Sequence, residues 1–340
     1  MITYFVSREG QDAIRQKPSV TIGPAADHFE IVLYQDALQR DDWHAGTFIF
    51  SDTERLWSSE VPLVSRLWHR LKSAPVPVHL INHPIRSLKR YGLLRALRES
   101  GQNSFDVYRA DEGRKPRYFP VFLHGERDHK GPVGGLLQDQ AALDAALDAL
   151  VERGFPLGLM LVTEFCETRS ADGLYRKYGA YVIGDRIVPR HVYFSSEWCV
   201  KDFRTGIGPD TPESELFAEE LAYLHGNPHE AELRKIFELS GIRYGRMDYA
   251  MRDGRIECWE INTNPLHMSR DVPPGTPRYD EIFVPFNDWM HAALMELPGA
   301  ADDEPFSIDP VRPLSVIAAA APPRAERKGD RRGVAPHRER

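Results

Sequence analysis

Cysteine is scarce in this chain. Only Cys166, Cys199 and Cys258 occur, odd in number and widely spaced. That excludes a disulfide framework and a cysteine zinc site, and it suits a reducing compartment, so a cytoplasmic setting is expected. No apolar run approaches the roughly 20 residues that a bilayer span requires. The opening Met-Ile-Thr-Tyr-Phe-Val-Ser has no basic region ahead of an apolar one, so no secretory signal and no membrane partner are expected. A formal net charge of −7 argues against a chain devoted to nucleic acid. No glycine fingerprint for dinucleotides follows the early strand-like runs, which speaks against a nicotinamide enzyme. His225 and His229 have a helical metal-ligand spacing, but Gly226 and Pro228 lie between them and argue against zinc.

What is present reads as an α/β chain longer than one typical domain. Residues 3–6, 30–34, 47–50 and 78–81 are short apolar runs spaced widely enough for crossovers, with Val61, Val64, Leu67, Trp68 and Leu71 at helical spacing between the last two. Asn82-His83-Pro84 is expected to open a helix carrying Leu88, Leu94 and Leu97, stopped by Gly101. Residues 118–124 read as a buried strand, then a glycine-bearing loop over 125–135, then a helix over 139–153. Such a loop lets backbone N–H groups approach phosphate oxygens. Gly184-Asp185-Arg186 turns one strand into another. Thr211-Pro212 and Asn227-Pro228 start helices, and Gly241 ends the second. After a last helix over 286–297, an Ala/Pro-rich stretch and an Arg-rich end read as a disordered tail.

The densest chemistry lies in Arg246-Met247-Asp248-Tyr249-Ala250-Met251-Arg252-Asp253-Gly254-Arg255-Ile256-Glu257-Cys258-Trp259-Glu260-Ile261-Asn262-Thr263-Asn264-Pro265. It reads as two strands joined at Arg-Asp-Gly. Side chains alternate faces along a strand, so Glu260 and Asn262 point the same way. A carboxylate beside an amide oxygen suits a hard cation such as Mg²⁺, held together with substrate phosphates. A two-residue turn at Asp253-Gly254 sets Asp248 opposite Trp259, on the wrong face. A three-residue loop with Gly254 in the left-handed bulge position sets Asp248 opposite Cys258, with Glu260 as its diagonal neighbour. The metal reading therefore expects the three-residue loop and puts Glu257 on the opposite face. A half-buried hairpin with polar residues toward solvent is the alternative.

These residues resemble the ATP-grasp superfamily, whose last core strands carry an Arg-x-Asp element and then Glu-φ-Asn-x-x-Pro. The resemblance implies that Asp248, Glu260 and Asn262 ligate Mg²⁺ bridging the ATP phosphates, with Mn²⁺ as the alternative ion. Arg246 and Glu260 are then the catalytic residues, with Arg246 near an acyl-phosphate or the substrate carboxylate. A weaker resemblance in segment order runs from about Met1 to Leu297. It implies an α/β (α+β) fold: an N-terminal parallel-sheet domain over 1–84, a linker helix over 85–117, lobe A over 118–200, lobe B with the metal site over 201–297, and a disordered tail over 298–340. Implied ATP contacts are Lys89 or Arg90, whose alternative is a solvated basic helix face, and His124, where the family has a lysine. Arg127, Lys130 and Gly131 follow in the glycine loop. Glu164, Phe165 and Cys166 fall at the adenine hinge, and Lys177 where the family has an acid. Arg190, His191 and Lys201 approach from the next hairpin, and Asn264 and Arg270 from the loop after it. The implied activity is an ATP- and Mg²⁺-dependent, ADP-forming ligase joining a carboxylate to an amine, on small-molecule or peptide substrates, through an acyl-phosphate. A kinase of the same fold, or a nucleotide-binding protein without turnover, is the alternative. A homodimer stays open.

Overall fold

The computed structural model describes residues 1–11, 27–127, 131–201, 203–208, 211–265 and 273–311. Four parallel strands, β1 (Ile2–Val6), β2 (Phe29–Leu33), β4 (Gly46–Phe50) and β5 (Val78–Ile81), form the first sheet in the order β2-β1-β4-β5. Every residue of β1 and β4 is buried, as expected where a parallel sheet is covered on both faces. Phe5, Phe48 and Phe50 pack beneath Val64, Leu67 and Leu71 of the helix α2 (Val61–Lys72), which follows a short α1 (Tyr34–Ala37). On the other face Ile2, Tyr4, Val6 and Ile49 meet Tyr244, Phe286, Met290 and Leu294, so this sheet is packed against the C-terminal half of the chain.

Two expectations change here. The stretch after residue 297 is not wholly a tail: β15 (Pro305–Ser307) pairs antiparallel with β3 (Asp42–His44), and Phe306 is buried with its ring edge-on to Phe48. Its register is fixed by N–H donations from Ile308 to Asp41 and from Val311 to Leu38. Short polar residues around a single phenylalanine hid this strand from periodicity. The Pro313–Pro323 and Arg-rich segments lie outside the described residues. Asn82-His83-Pro84 opens no helix. The helix α3 (Arg90–Glu99) begins later, and Asn82 instead has a left-handed backbone (φ 63°) with a buried side chain. Its amide donates to the Tyr244 carbonyl at 2.7 Å and accepts from the N–H groups of Arg243 and Tyr244, tying the first sheet to the last. Asparagine tolerates that conformation better than most residues.

The second sheet, in the order β6-β9-β7-β8, joins β6 (Val107–Arg109), β7 (Val121–Gly125), β8 (Pro132–Leu137) and β9 (Met160–Glu164). The helix α4 (Gln140–Glu152), capped by Asp139 accepting from the Ala142 N–H, covers it through Leu143 and Leu150. The glycine stretch expected as a loop leading to this helix is largely strand: β8 runs antiparallel to β7, with His124 opposite Pro132.

The third sheet has the order β12-β11-β10-β13-β14, from β10 (Tyr175–Ile183), β11 (Arg186–Ser195), β12 (Arg204–Thr205), β13 (Tyr244–Arg252) and β14 (Arg255–Asn262). Helices α5 (Glu213–Gly226) and α6 (Glu230–Ser240) bury one face, against residues such as Val192, Phe194, Met247 and Tyr249. Asn227, expected to start a helix, ends α5 in the left-handed region, and Gly241 ends α6 as expected. The helix α7 (Val284–Met295) covers only one end of the opposite face. The rest of that face looks across a cleft at β7 and β9. Because β10 and β11 pair with β13, the two sheets part between residues 165 and 174 rather than near 200, and β6 of the expected linker belongs to the second sheet. Among the described residues no helix is long and apolar enough to cross a membrane.

Phe306→Ala removes a buried aromatic ring from a packed core, so it should lower folding free energy by about 3 kcal/mol, read as a lower urea midpoint. An unchanged midpoint would return this segment to the tail.

Candidate active site

The hairpin of β13 and β14 reaches the expected face by an unexpected route. Arg252 pairs with Arg255 across a two-residue turn, Asp253-Gly254, with φ of 50° and 74°, the doubly left-handed turn that matches strand twist. The three-residue loop is absent. A β-bulge between Asp248 and Tyr249 corrects the register instead: Asp248 stands opposite Glu260 and Tyr249 opposite Cys258, leaving Trp259 as the extra residue. Trp259 stacks on Phe105 with centroids 4.8 Å apart, which anchors the bulge. Asp248 and Glu260 are therefore direct rather than diagonal neighbours. The same bulge brings Glu257, opposite Ala250, onto the face of Asp248, contrary to simple alternation. Glu257 is buried and accepts from the Ser104 N–H at 2.8 Å.

Each acid is held by cations. Arg246 Nε donates to Asp248 Oδ1 at 2.8 Å and Nη2 to Oδ2 at 3.3 Å, and Lys177 Nζ lies 3.9 Å from Oδ2. Glu260 is ion-paired with Arg90, at the start of α3. Arg90 also donates to the Gly125 carbonyl at 2.7 Å and lies 3.4 Å from His124 Nδ1, so it spans the cleft from β7 to β14. A guanidinium only donates, so Nδ1 of His124 accepts and Nε2 carries the proton, donating to Thr163 Oγ1 at 2.8 Å. Burial, and then the Arg90 charge, push the His124 pKa down to about 3, so the imidazole is neutral. Asn262 Oδ1 accepts from the Asn264 N–H at 2.8 Å. Asn264 in turn accepts from the Tyr4 hydroxyl and donates to the Gly10 carbonyl, so its side chain fastens this loop to the first domain.

These groups face a cleft of about 710 Å³ between the second and third sheets. Its lining combines a charged set, Arg90, Lys177, Arg246, Asp248, Glu260 and Asn262, with an aromatic one, in which Trp198 lies 5.2 Å from the Phe122 ring and 6.0 Å, edge to face, from Phe165. Of the residues expected from sequence, His124, Gly131, Cys166, Lys201 and Asn264 also line it. Lys89, His191 and three others do not. Glu164 points to the far side of β9, where its carboxylate accepts from Tyr108 OH and from the N–H groups of Asp106, Arg117 and Tyr118. Arg127 lies 3.7 Å over the Trp57 ring and donates to the Arg55 carbonyl. Arg190 is buried over Phe283 and Phe286, where burial lowers its pKa. Lys130 and Arg270 lie outside the described residues. Sequence reasoning missed Phe122 and Trp198. Phe122 reads as one more core residue of a strand, and Trp198 lies in a stretch with no period at all.

The oxygen set of Asp248, Glu260 and Asn262 fits a hard divalent ion. Among the described residues no group of three or more His, Cys, Asp and Glu side chains could hold a metal by itself. Two carboxylates and an amide are the kind of partial shell that Mg²⁺ completes with water and phosphate.

No family model and no curated protein matches the chain. Among solved structures it is similar to D-alanine–D-alanine ligase from Bacillus anthracis complexed with ATP, at 12% identity over 86% of this chain and 97% of that one, with a TM-score of 0.45. It is also similar to a RimK domain protein ATP-grasp from Sphaerobacter thermophilus (15%, 85% and 99%, TM-score 0.45). A third is the ATP-grasp ligase PsnB complexed with minimal precursor, Mg and ADP (14%, 87% and 98%, TM-score 0.46). Likeness this distant assigns no chemistry, which rests on the cleft itself.

The folded pKa of His124 lies below the unfolded value of about 6.5. Stability is therefore full above that pH and lost on acidification toward 3, because only the unfolded chain takes up the proton. His124→Asn should flatten unfolding free energy against pH between 6 and 4 by about 1.4 kcal/mol per unit relative to the unmutated chain. Parallel curves would mean the imidazole is not held neutral.

Proposed function

We propose that this chain is an ATP-grasp enzyme, an ADP-forming ligase that activates a carboxylate as an acyl-phosphate and passes it to an amine. The observation that carries this reading is the pairing of Asp248 with Glu260 in a cleft that Arg90, Lys177 and Arg246 also line, together with an aromatic cluster. The aromatic faces of Phe122, Phe165 and Trp198 offer a stacking site for a purine. Arg90 and Lys177 are two cations for a polyphosphate extending from it, while both ring nitrogens of His124 are engaged, by Arg90 and by Thr163. Asp248, Glu260 and Asn262 would hold Mg²⁺, or Mn²⁺ in its place, which when bound offsets charge on the phosphate oxygens. Arg246, on the same face as Asp248, is positioned to steady negative charge on the transferring phosphoryl group or the substrate carboxylate. Small-molecule or peptide substrates fit a cleft of this size.

A second reading, a nucleotide-binding protein without turnover, draws on one feature: both acids are ion-paired with arginines. Activity separates the two. With ATP, Mg²⁺ and a panel of amino acids, ADP release should be measurable, and Glu260→Gln should lower it by roughly a hundredfold, the loss of one preorganised electrostatic contact. Glu238→Gln, on the exposed face of α6, should leave it unchanged. Glu257 cannot serve as that control because it is buried beside the site. No ADP from the unmutated chain with any acceptor favours the binding protein.

A further inference from the structure

His191 is absent from the cleft lining, yet it stands in the same row of the third sheet as the two acids. The register aligns His191 on β11 with Gly179 on β10, Gly179 with Asp248 on β13, and Asp248 with Glu260 on β14. Residues directly opposite on neighbouring strands project from one face. The row lacks a side chain at Gly179, and the imidazole fills that space. A Cβ at 179 would meet His191 Cε1 at 2.4 Å, Nε2 at 2.7 Å and Nδ1 at 2.9 Å. The polar edge of the ring therefore reaches over β10 toward Asp248, and any side chain at 179 would displace it. The ring also stacks on Tyr193, 4.0 Å away and nearly parallel. His191 is 2% exposed, and among the described residues its Nε2 has no hydrogen-bond partner. A buried polar atom in that state is uncommon and calls for a use.

Its surroundings indicate which use. Lys177 lies one row to one side, opposite Tyr193, and Arg246 one row to the other, opposite Tyr181, and both line the cleft. An oxyanion drawn between these two cations arrives beside the imidazole edge. Burial, and then the charges of Arg246, Arg190, Lys177 and Arg278, keep His191 neutral. A neutral ring is a directional donor that adds no further positive charge to an already cationic corner.

We propose that His191, with its proton on Nε2, is a contact residue for the terminal phosphoryl oxygens of the nucleotide. This rests on the ATP-dependent reading above and adds a residue that the motif around Asp248 does not contain.

His191→Phe keeps a flat ring against Gly179 and Tyr193 and removes the unpartnered nitrogen, so the urea midpoint should stay level or rise. Calorimetry with Mg²⁺ and a non-hydrolysable ATP analogue should then show roughly tenfold or weaker binding by this variant, while Mg²⁺·ADP binds as it does to the unmutated chain. His191→Gln, whose amide nitrogen reaches the same place, should recover most of the loss. Unchanged affinity for the analogue, or equal weakening for the analogue and ADP, overturns the proposal. If the unmutated chain binds neither nucleotide, the ATP-dependent reading fails first and takes this inference with it.

Discussion

Two carboxylates placed directly across an antiparallel ladder repel each other, and the site depends on making that placement tolerable. Like charges opposite one another weaken a sheet. Here Arg246 and Lys177 attend Asp248, and Arg90 attends Glu260. The bulge at Trp259 creates the placement, because without the extra residue a two-residue turn would send Asp248 and Glu260 to opposite faces. Trp259 then justifies its own position by stacking on Phe105, from the segment that leads into β6. The acids thus meet because a packing contact on the second sheet holds the bulge in the third.

The loop just after the acids is clasped by the first domain. Thr263 donates to Glu54, and Asn264 bonds to Tyr4 and to the Gly10 carbonyl. A side chain at Gly10 would collide with Asp52 and Asn264, which explains glycine there. Asp52 accepts from the Ser7 hydroxyl and pairs with Arg55. Burial, with Glu54 nearby, raises its carboxyl to about 7. The ends of β1 and β4 thereby set the position of Asn262 and Asn264. This is the crevice at the carboxyl ends of parallel strands where the strand order changes direction, a usual place for function in open α/β sheets.

Much of this was legible in the sequence. The four parallel strands, the hairpin after Gly184 and the glycine closing α6 follow from local periodicity and turn chemistry. The grouping of Asp248, Glu260 and Asn262 on one face was also readable, but the device was not. Asp253-Gly254 is a strong two-residue turn signal, and a bulge six residues further on leaves no local mark, because tryptophan at 259 fits a regular strand as well. Glu164, Arg127 and Arg190 were misread for one reason: a charged residue near a motif looks functional, while its partners are distant in sequence. Glu164 binds N–H groups near residues 106 and 117, and Arg190 lies against aromatic rings almost a hundred positions away. His191 was legible only as one basic group of a hairpin, because its place beside Asp248 comes from the missing side chain at Gly179 on the neighbouring strand.

The central claim is that Asp248 and Glu260 recognise a divalent ion shared with a nucleotide. Calorimetric titration of ATP into the unmutated chain, once with millimolar Mg²⁺ and once with a chelator, tests it most directly. The account predicts saturable binding that tightens by about tenfold or more with Mg²⁺, since the ion relieves repulsion between these carboxylates and the phosphates. Binding of equal strength in both conditions, or none in either, would contradict it.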